Sequence, residues 1–342
     1  MSEGTLYIVG IGPGVPDKMT QEARDVIRDS EVVVASSLYQ KFLRLDDVIG
    51  NKITDDERIE ELADEDPFPI DEDTGEEGRL EVTTTPGGAL YVEGATLSEA
   101  EEKVEDEGID AFITTLDSGY ADYIDTGDEG DGQLLVKSSM GRQVELAYEA
   151  IARVREGQDV AHVSGGDPNT YGKSDLVFKV LEHADTTDVD VEIVEGVTAG
   201  MSVSADLGAP LSGDFATVSL SDKWRDWDVI EDRLRNAARS DFVILLYNCW
   251  TGYDEAADIL QEELDDEVPV GIVHDAGREE HGRNDDGEVY RVTNVGEMKE
   301  YSDEISGMGV SVLVGNSKTE VWEADDRDYL VTPRGGRDIE DF

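Results

Sequence analysis

Short apolar runs alternate along the chain with longer stretches in which hydrophobic residues recur three and four places apart. The first pattern reads as a strand buried on both faces, the second as a helix that buries one face. Thr5–Gly10 (TLYIVG) predicts such a strand, ended by a glycine turn. Thr20 then caps a helix with Ala23, Val26 and Ile27 on one side, and Val32–Ala35 (VVVA) predicts a second strand. After an interruption the rhythm resumes with a helix near Met140–Glu156, whose Val144, Ala147, Tyr148, Ile151 and Val154 share a face. A strand at Val160–Val163, a helix near Asp175–His183, a strand near Val191–Val194 and a helix after Thr198 follow. A second series places strands at Phe215–Leu220, Phe242–Tyr247, Val270–Val273, Val289–Val292 and Val310–Val314, and helices at Trp227–Ala238 and Ala256–Glu263. This alternation predicts an α/β fold. Leu207–Gly213 (LGAPLSG) is the best candidate hinge. The expected organisation is two α/β domains with a ligand cleft between them, over 1–210 and 211–322, and a flexible tail over 323–342 that contains PRGGR.

Residues 51–133 break the rhythm. Thr54–Gly78 is mostly acidic, carries Pro67 and Pro69, and reads as an exposed or disordered loop. Leu90–Val92, Ser98–Glu107 and Ala111–Thr114 then read as strand, helix and strand, so the segment is a partly folded acidic insertion in the N-terminal domain.

Charge changes this picture. The 342 residues include 82 acids against 28 bases, a net charge of −54. The 51–133 segment holds 28 acids and four bases, a net of −24, which leaves −30 on the rest. An excess spread this widely, with 18 arginines and only 10 lysines, resembles the surfaces of proteins from salt-accumulating halophiles. Carboxylates there keep molecules hydrated and mutually repulsive, and about 1 M salt shortens the Debye length to about 3 Å. Such a surface excludes nucleic acid and anionic membranes as expected partners. No apolar run approaches bilayer length and the N-terminus lacks a signal layout, so a cytoplasmic, soluble protein is expected. The single cysteine, Cys249, excludes an internal disulfide, and His162, His183, His274 and His281 show no ligand spacing, so no metal site is expected.

Five loop motifs follow predicted strands. Gly10-Ile11-Gly12-Pro13-Gly14 misses the dinucleotide fingerprint: its third glycine comes one place early and the helix starts only near Thr20. It is either a tight turn or a loop on which a flat ligand lies against backbone. Ser164-Gly165-Gly166-Asp167-Pro168 stands where open α/β sheets bind ligands; Asp167 can accept hydrogen bonds there, and a plain turn is the alternative. Glu195-Gly196-Val197-Thr198-Ala199 is a helix start or a ligand loop. In Tyr247-Asn248 the tyrosine either stacks on an aromatic ring or belongs to the core. Arg278 of Asp275-Ala276-Gly277-Arg278 either clamps a carboxylate or forms a surface ion pair. Packing or surface roles are expected for the histidines, including His162 and His274 beside these loops.

Taken in order, YIVGIGPG, MT-QEA-VI, SGGDPNTYG and EGVTA resemble the tetrapyrrole (corrin/porphyrin) methylases, a family of S-adenosylmethionine-dependent methyltransferases. GAPLSGDFATVSLSD, then Trp227 and DFVILLYN, with AGREEH and VLVGNS, is similar to the branch that methylates C(17) of precorrin-3B in cobalamin biosynthesis. The resemblance covers about residues 4–50 and 134–321. It implies a homodimer of two-domain subunits, with S-adenosyl-L-methionine in the cleft and a corrinoid as the substrate. Carried onto this chain, donor contacts fall on Pro13, Gly165, Gly166, Asp167, Thr170, Tyr171, Thr198, Ala199, Tyr247, Asn248, Ala276 and Gly277. Substrate contacts fall on Gly12, Arg142, Lys223, Arg225 and Arg278. C(17) methylation in this branch accompanies ring contraction, in which a C(20)–oxygen group gains or loses a proton, and Asp214, Ser219 and Asp222 are the candidate acid–base residues.

Two departures fall at the substrate end. Gly213 stands where the branch carries histidine, and Asn248-Cys249-Trp250-Thr251 stands where it continues with proline and serine. Precorrin-4 or uroporphyrinogen methylation, diphthine synthesis, a non-catalytic corrinoid- or donor-binding paralogue, and a paralogue whose insertion docks a partner are the alternatives. A corrinoid bears many carboxylates, so an anionic protein needs a cationic lining or salt to hold it.

Overall fold

The computed structural model describes residues 4–65, 79–84, 88–92, 111–116, 121–127, 132–138, 143–183, 188–223, 225–278, 281–282, 289–325 and 327–335. It forms two compact units, Met1–Val197 and Thr198–Phe342.

The first unit runs β1 (Thr5–Gly10), α1 (Gln21–Asp29), β2 (Val32–Ser36), α2 (Ser37–Leu43), α3 (Asp56–Glu65), β3 (Arg79–Thr84), β4 (Gly88–Val92), β5 (Ala111–Leu116), β6 (Ala121–Asp125), β7 (Gly132–Ser138), α4 (Gln143–Arg155), β8 (Val160–Ser164), α5 (Ser174–His183) and β9 (Asp190–Val194). Its main sheet has the order β6-β7-β2-β8-β1-β9. Every pairing is parallel except β6 with β7. The apolar runs are continuous because helices cover both faces. Leu6, Ile8, Val32, Val34 and Val160 pack with Ala147, Ile151 and Val154 of α4 and Val177 and Val180 of α5. Val9, Val33, Ala35, Ala161 and Val163 face the other way, onto Ala23 and Ile27 of α1 and Phe42 of α2. Thr20 caps α1 as expected, its Oγ1 accepting from the Ala23 N–H at 3.1 Å. The parallel strands deliver their carboxyl ends, Gly10, Ser36, Ser138, Ser164 and Val194, to one edge.

The acidic segment is more ordered than a loop. Within the expected loop Thr54–Gly78 lies α3, whose Leu62 is buried and whose Ile59 and Ala63 pack on the first-unit core. Leu62 fills the space beside Gly132, so three apolar residues suffice to dock an otherwise acidic helix. β6 and the start of β7 also fall inside 51–133 and belong to the main sheet. The folded insertion is an antiparallel sheet of order β4-β3-β5, which includes the two expected strands. The helix expected at Ser98–Glu107 lies outside the described residues.

The second unit runs α6 (Ala199–Leu207), β10 (Gly208–Ala209), β11 (Phe215–Ser219), α7 (Trp227–Arg239), β12 (Val243–Tyr247), α8 (Tyr253–Glu263), β13 (Pro269–His274), β14 (Val289–Asn294), β15 (Val310–Val314), β16 (Glu320–Glu323) and β17 (Asp328–Val331). Its sheet order is β11-β12-β15-β13-β14, with a small second sheet β10-β17-β16. β11 and β12 are parallel; β12 and β13 both oppose β15. Ser219, Tyr247 and His274 therefore end at one edge. The division between units falls ahead of the expected hinge at Leu207–Gly213, because Val203 and Leu207 of α6 pack with Val243, Leu245, Val273 and Leu313.

The expected tail over 323–342 is held as far as Gly335. Leu330 is fully buried in that same cluster, and β17 pairs with β10 and β16. Arg327 stacks over Tyr290 and Tyr329 and donates to the Asp206 carbonyl at 2.6 Å. The tail's charge misleads because a few buried contacts anchor it. No helix among the described residues is long and apolar enough to cross a membrane.

Candidate active site

At the carboxyl edge of the first sheet, three loops touch through bare backbone. Gly12 and Gly166 exchange hydrogen bonds, 3.1 Å from the Gly12 N–H to the Gly166 carbonyl and 2.8 Å in return. A Cβ on Gly10 would lie 2.7 Å from the Gly166 oxygen and 2.8 Å from the Gly196 nitrogen. Glycine is required where chains approach this closely. Gly12 and Gly166 also have positive φ, 59° and 70°. Pro13 is buried behind this crossing.

Asp167 binds the loops together. One carboxylate oxygen accepts from the Asn169 N–H at 2.9 Å and the Thr170 hydroxyl at 3.4 Å; the other accepts from the Gly196 N–H at 3.3 Å. This carboxylate is first a brace between the loops after β8 and β9, with lone pairs left for a ligand hydroxyl or amine. Tyr171 has a positive φ of 54° and is 42% exposed, an uncommon conformation for a bulky residue. Gly165 packs on the Tyr39 ring.

The second unit gathers its candidates at one sheet edge. The Tyr247 hydroxyl lies 2.7 Å from the Gly200 N–H, which donates to it, and 2.8 Å from Thr198 Oγ1. Thr198 occupies the N-cap position of α6 without its side chain capping the helix. Tyr247 is thus a buried residue that fixes the entry to α6, with Ala199 between its two partners. Asn248 has a positive φ of 55° and donates its amide to Ser219 Oγ at 2.9 Å. The serine hydroxyl keeps its own hydrogen to give. Asp222 and Lys223 are exposed and Arg225 is half-buried, in the loop after β11. Ala276 and Gly277 follow β13 at the same edge.

Asp214 does not join them. It precedes β11, and its carbonyl accepts from Val243 at the start of β12. Five extended residues place Asp214 roughly 16 Å from Ser219 along the strand. Arg278 is paired with Asp275 at 2.8 Å, and the Asp275 side chain is fully buried. That is a buried positioning pair rather than the surface pair weighed from sequence. Arg142 lies outside the described residues. Burial pushes the Cys249 thiol up to about 12, which makes it inert at neutral pH. His274 is lowered chiefly by burial.

Sequence reasoning missed Ser138 and Lys173. Lys173 directly follows the SGGDPNTYG motif, but spacing does not reveal that its ammonium folds back to the Val163 carbonyl at 3.2 Å and to Ser138 Oγ at 3.4 Å.

Residues 5–283 match the family model described as Tetrapyrrole (Corrin/Porphyrin) Methylases. The chain is 32% identical to the "Precorrin-3B C(17)-methyltransferase" of Sinorhizobium sp over 256 residues, 72% of this chain and 96% of that protein. It is 35% identical to the "Cobalt-factor III methyltransferase" of Priestia megaterium over 211 residues, 59% of this chain but only 36% of that longer protein. The solved methyltransferase CobJ superposes with a TM-score of 0.62 at 21% identity, covering 96% of this chain and 100% of CobJ, a likeness of fold. The family match spans the loop edges of both units and most of the chain, and on that ground the chain belongs to the tetrapyrrole (corrin/porphyrin) methylase family.

Proposed function

We propose that the chain is an S-adenosylmethionine-dependent methyltransferase of cobalamin biosynthesis that methylates C(17) of a precorrin-3B or cobalt-precorrin-3 type corrinoid, with ring contraction. The observation that carries this reading is the 32% identity along 96% of the Sinorhizobium precorrin-3B C(17)-methyltransferase. The methyl donor brings an already activated methyl group on a sulfonium. What is left for the protein is alignment, exclusion of water and proton handling.

The residues fit that task. Gly12, Gly165 and Gly166 lie at the loop crossing of the first unit, and Asp167, Thr170, Tyr171 and Pro13 are the further contacts assigned there. Thr198, Ala199, Tyr247, Asn248, Ala276 and Gly277 are donor contacts in the second unit. Ser219, oriented by Asn248, is the better-placed proton donor; Asp222 is the nearby carboxylate. Lys223, Arg225, Arg278 and Arg142 are the cationic contacts for corrinoid acids. A cytoplasmic homodimer working at high salt completes the reading, supported by the dispersed acid excess and the family resemblance.

Mass spectrometry of the product made from cobalt-precorrin-3 and S-adenosylmethionine is the test. One added methyl with a contracted ring supports the proposal. Tight binding of S-adenosylhomocysteine without any product would assign the chain to the non-catalytic binders instead, and light scattering reads the dimer.

A further inference from the structure

Lys173 is a half-buried cation at the carboxyl edge of the first sheet. Lys52, Lys179 and Lys299 each pair with a carboxylate. The Lys173 ammonium has no ion-pair partner among the described residues; its contacts are two neutral oxygens, Ser138 Oγ at 3.4 Å and the Val163 carbonyl at 3.2 Å. An ammonium carries three donors and a full charge, and both contacts are long, so one donor and the charge itself are unmatched. His162, the residue before Val163 on β8, is 1% exposed, and neither ring nitrogen has a hydrogen-bond partner among the described residues. Buried polar groups are ordinarily satisfied, and exceptions call for an explanation.

The place explains the exception. Ser138 ends β7, Val163 lies one residue before the end of β8, and Lys173 leads into α5. All three stand at the carboxyl edge of the first sheet, where parallel α/β sheets bind ligands. Lys173 is half-buried, and only two residues separate it from Thr170. We propose that Lys173 and Ser138, backed by the His162 imidazole, form a subsite that receives a carboxylate of a small molecule. Lys173 supplies the charge and Ser138 a hydroxyl hydrogen. The carboxylate belongs either to the amino-acid end of the methyl donor or to an acid side chain of the corrinoid. Its ownership rests on the methyltransferase reading; the subsite does not.

The experiment has two arms. In the first, Lys173→Met and Lys173→Arg are compared with wild type for S-adenosylhomocysteine affinity by calorimetry and for corrinoid KM by initial rates. Loss of a charge-assisted pair predicts that Lys173→Met weakens one of the two by about tenfold or more and leaves the other within about twofold, while Lys173→Arg retains most of the binding. The ligand that weakens owns the carboxylate. In the second arm, sodium acetate is titrated into the full chain at constant ionic strength, with the His162 ring read by nitrogen NMR and assigned through His162→Gln. A saturable shift in wild type that Lys173→Met abolishes supports the subsite, even for a protein that transfers no methyl. If Lys173→Met does not fold, the wild-type titration and Lys173→Arg decide. Unchanged affinities together with an unsaturable acetate response overturn the proposal.

Discussion

The Tyr247 hydroxyl accepts the N–H of Gly200 at 2.7 Å, which ties the end of β12 to the first turn of α6. The same oxygen lies 2.8 Å from Thr198 Oγ1. Tyr247→Phe leaves that buried N–H and the threonine hydroxyl without this partner, at a cost of about 1–3 kcal/mol in stability. Ala199, a proposed donor contact, lies between the two tethered residues, so affinity for S-adenosylhomocysteine should fall as well. Denaturant unfolding and calorimetry on one preparation check both; a phenylalanine variant with wild-type values on each shows that the hydroxyl positions nothing.

Gly196→Ala tests the backbone crossing. An alanine Cβ there falls on the Gly166 carbonyl and the Gly10 backbone, main-chain atoms that cannot rotate away. Overpacking of this kind costs about 1–3 kcal/mol. It also disturbs the Gly196 N–H to Asp167 bond, so donor binding should fall more than global stability. A shifted Asp167 loop and weakened S-adenosylhomocysteine binding in a still-folded variant is the expected outcome.

Why some of this was legible in the sequence is physical. β1, β2, β8 and β12 are apolar runs buried on both faces, and one such run can adopt few other states in a soluble chain. Loop motifs at their ends fall on the ligand edge by topology alone, which is why Gly12, Asp167 and Tyr247 could be nominated. α3 was missed because its docking uses only Ile59, Leu62 and Ala63 against a strongly acidic background. β17 was missed because Leu330 packing and the Arg327 hydrogen bond to Asp206 depend on partners more than a hundred residues away in α6. Asp214 looked catalytic because it adjoins the motif in sequence, while a strand carries it to the opposite edge from Ser219. Lys173 illustrates the same limit, since burial of its charge is a property of the fold.

Arg153 is the largest fully buried side chain among the described residues and bonds Glu149 at 2.8 Å and the Gln158 side chain at 3.0 Å. This joins α4 to the turn that feeds β8. Breaking one side of a buried charge pair is strongly destabilising, so Glu149→Leu or Arg153→Met should each cost about 3–5 kcal/mol. The double variant should recover much of the loss, because well-packed apolar residues replace buried pairs at little cost. Chemical denaturation of the three variants and the parent gives the cycle; additive losses would show that the pair is not the relevant unit.

His162 and Lys173 set a pH dependence. Burial, with a smaller contribution from the Lys173 charge, lowers the His162 pKa from 6.5 to about 3. Between those values the unfolded chain takes a proton that the folded chain refuses. Stability therefore falls as pH drops below 6.5, by at most about 1.4 kcal/mol per unit. Burial also lowers Lys173 from 10.5 to about 8. In that interval the folded chain has released a proton that the unfolded chain keeps, so this contribution raises stability as pH climbs from 8 toward 10.5. His162→Leu should flatten the acid-side slope. Lys173→Met should raise the unfolding midpoint at pH 7, where the buried ammonium is a net cost. Denaturant midpoints between pH 4 and 10 measure both, and parallel profiles for parent and variants would contradict the assignment.

Salt should help this protein bind its proposed substrate. The chain carries −54 and a corrinoid brings several more carboxylates, so their long-range interaction is repulsive. The Debye length falls from about 10 Å at 0.1 M to about 3 Å at 1 M, which removes repulsion from distant surface acids. Partly buried contacts, such as the one proposed for Lys173, are screened far less. The balance shifts toward binding as salt rises, and corrinoid KM should decrease between 0.1 and 1 M potassium chloride. S-adenosylhomocysteine, with no comparable net negative charge, should respond less and serves as the control. Circular dichroism at each salt separates this effect from salt-dependent folding. A corrinoid KM that climbs steeply with salt while the fold stays intact would mean that long-range attraction, from a cationic field the −54 charge hides, governs encounter instead.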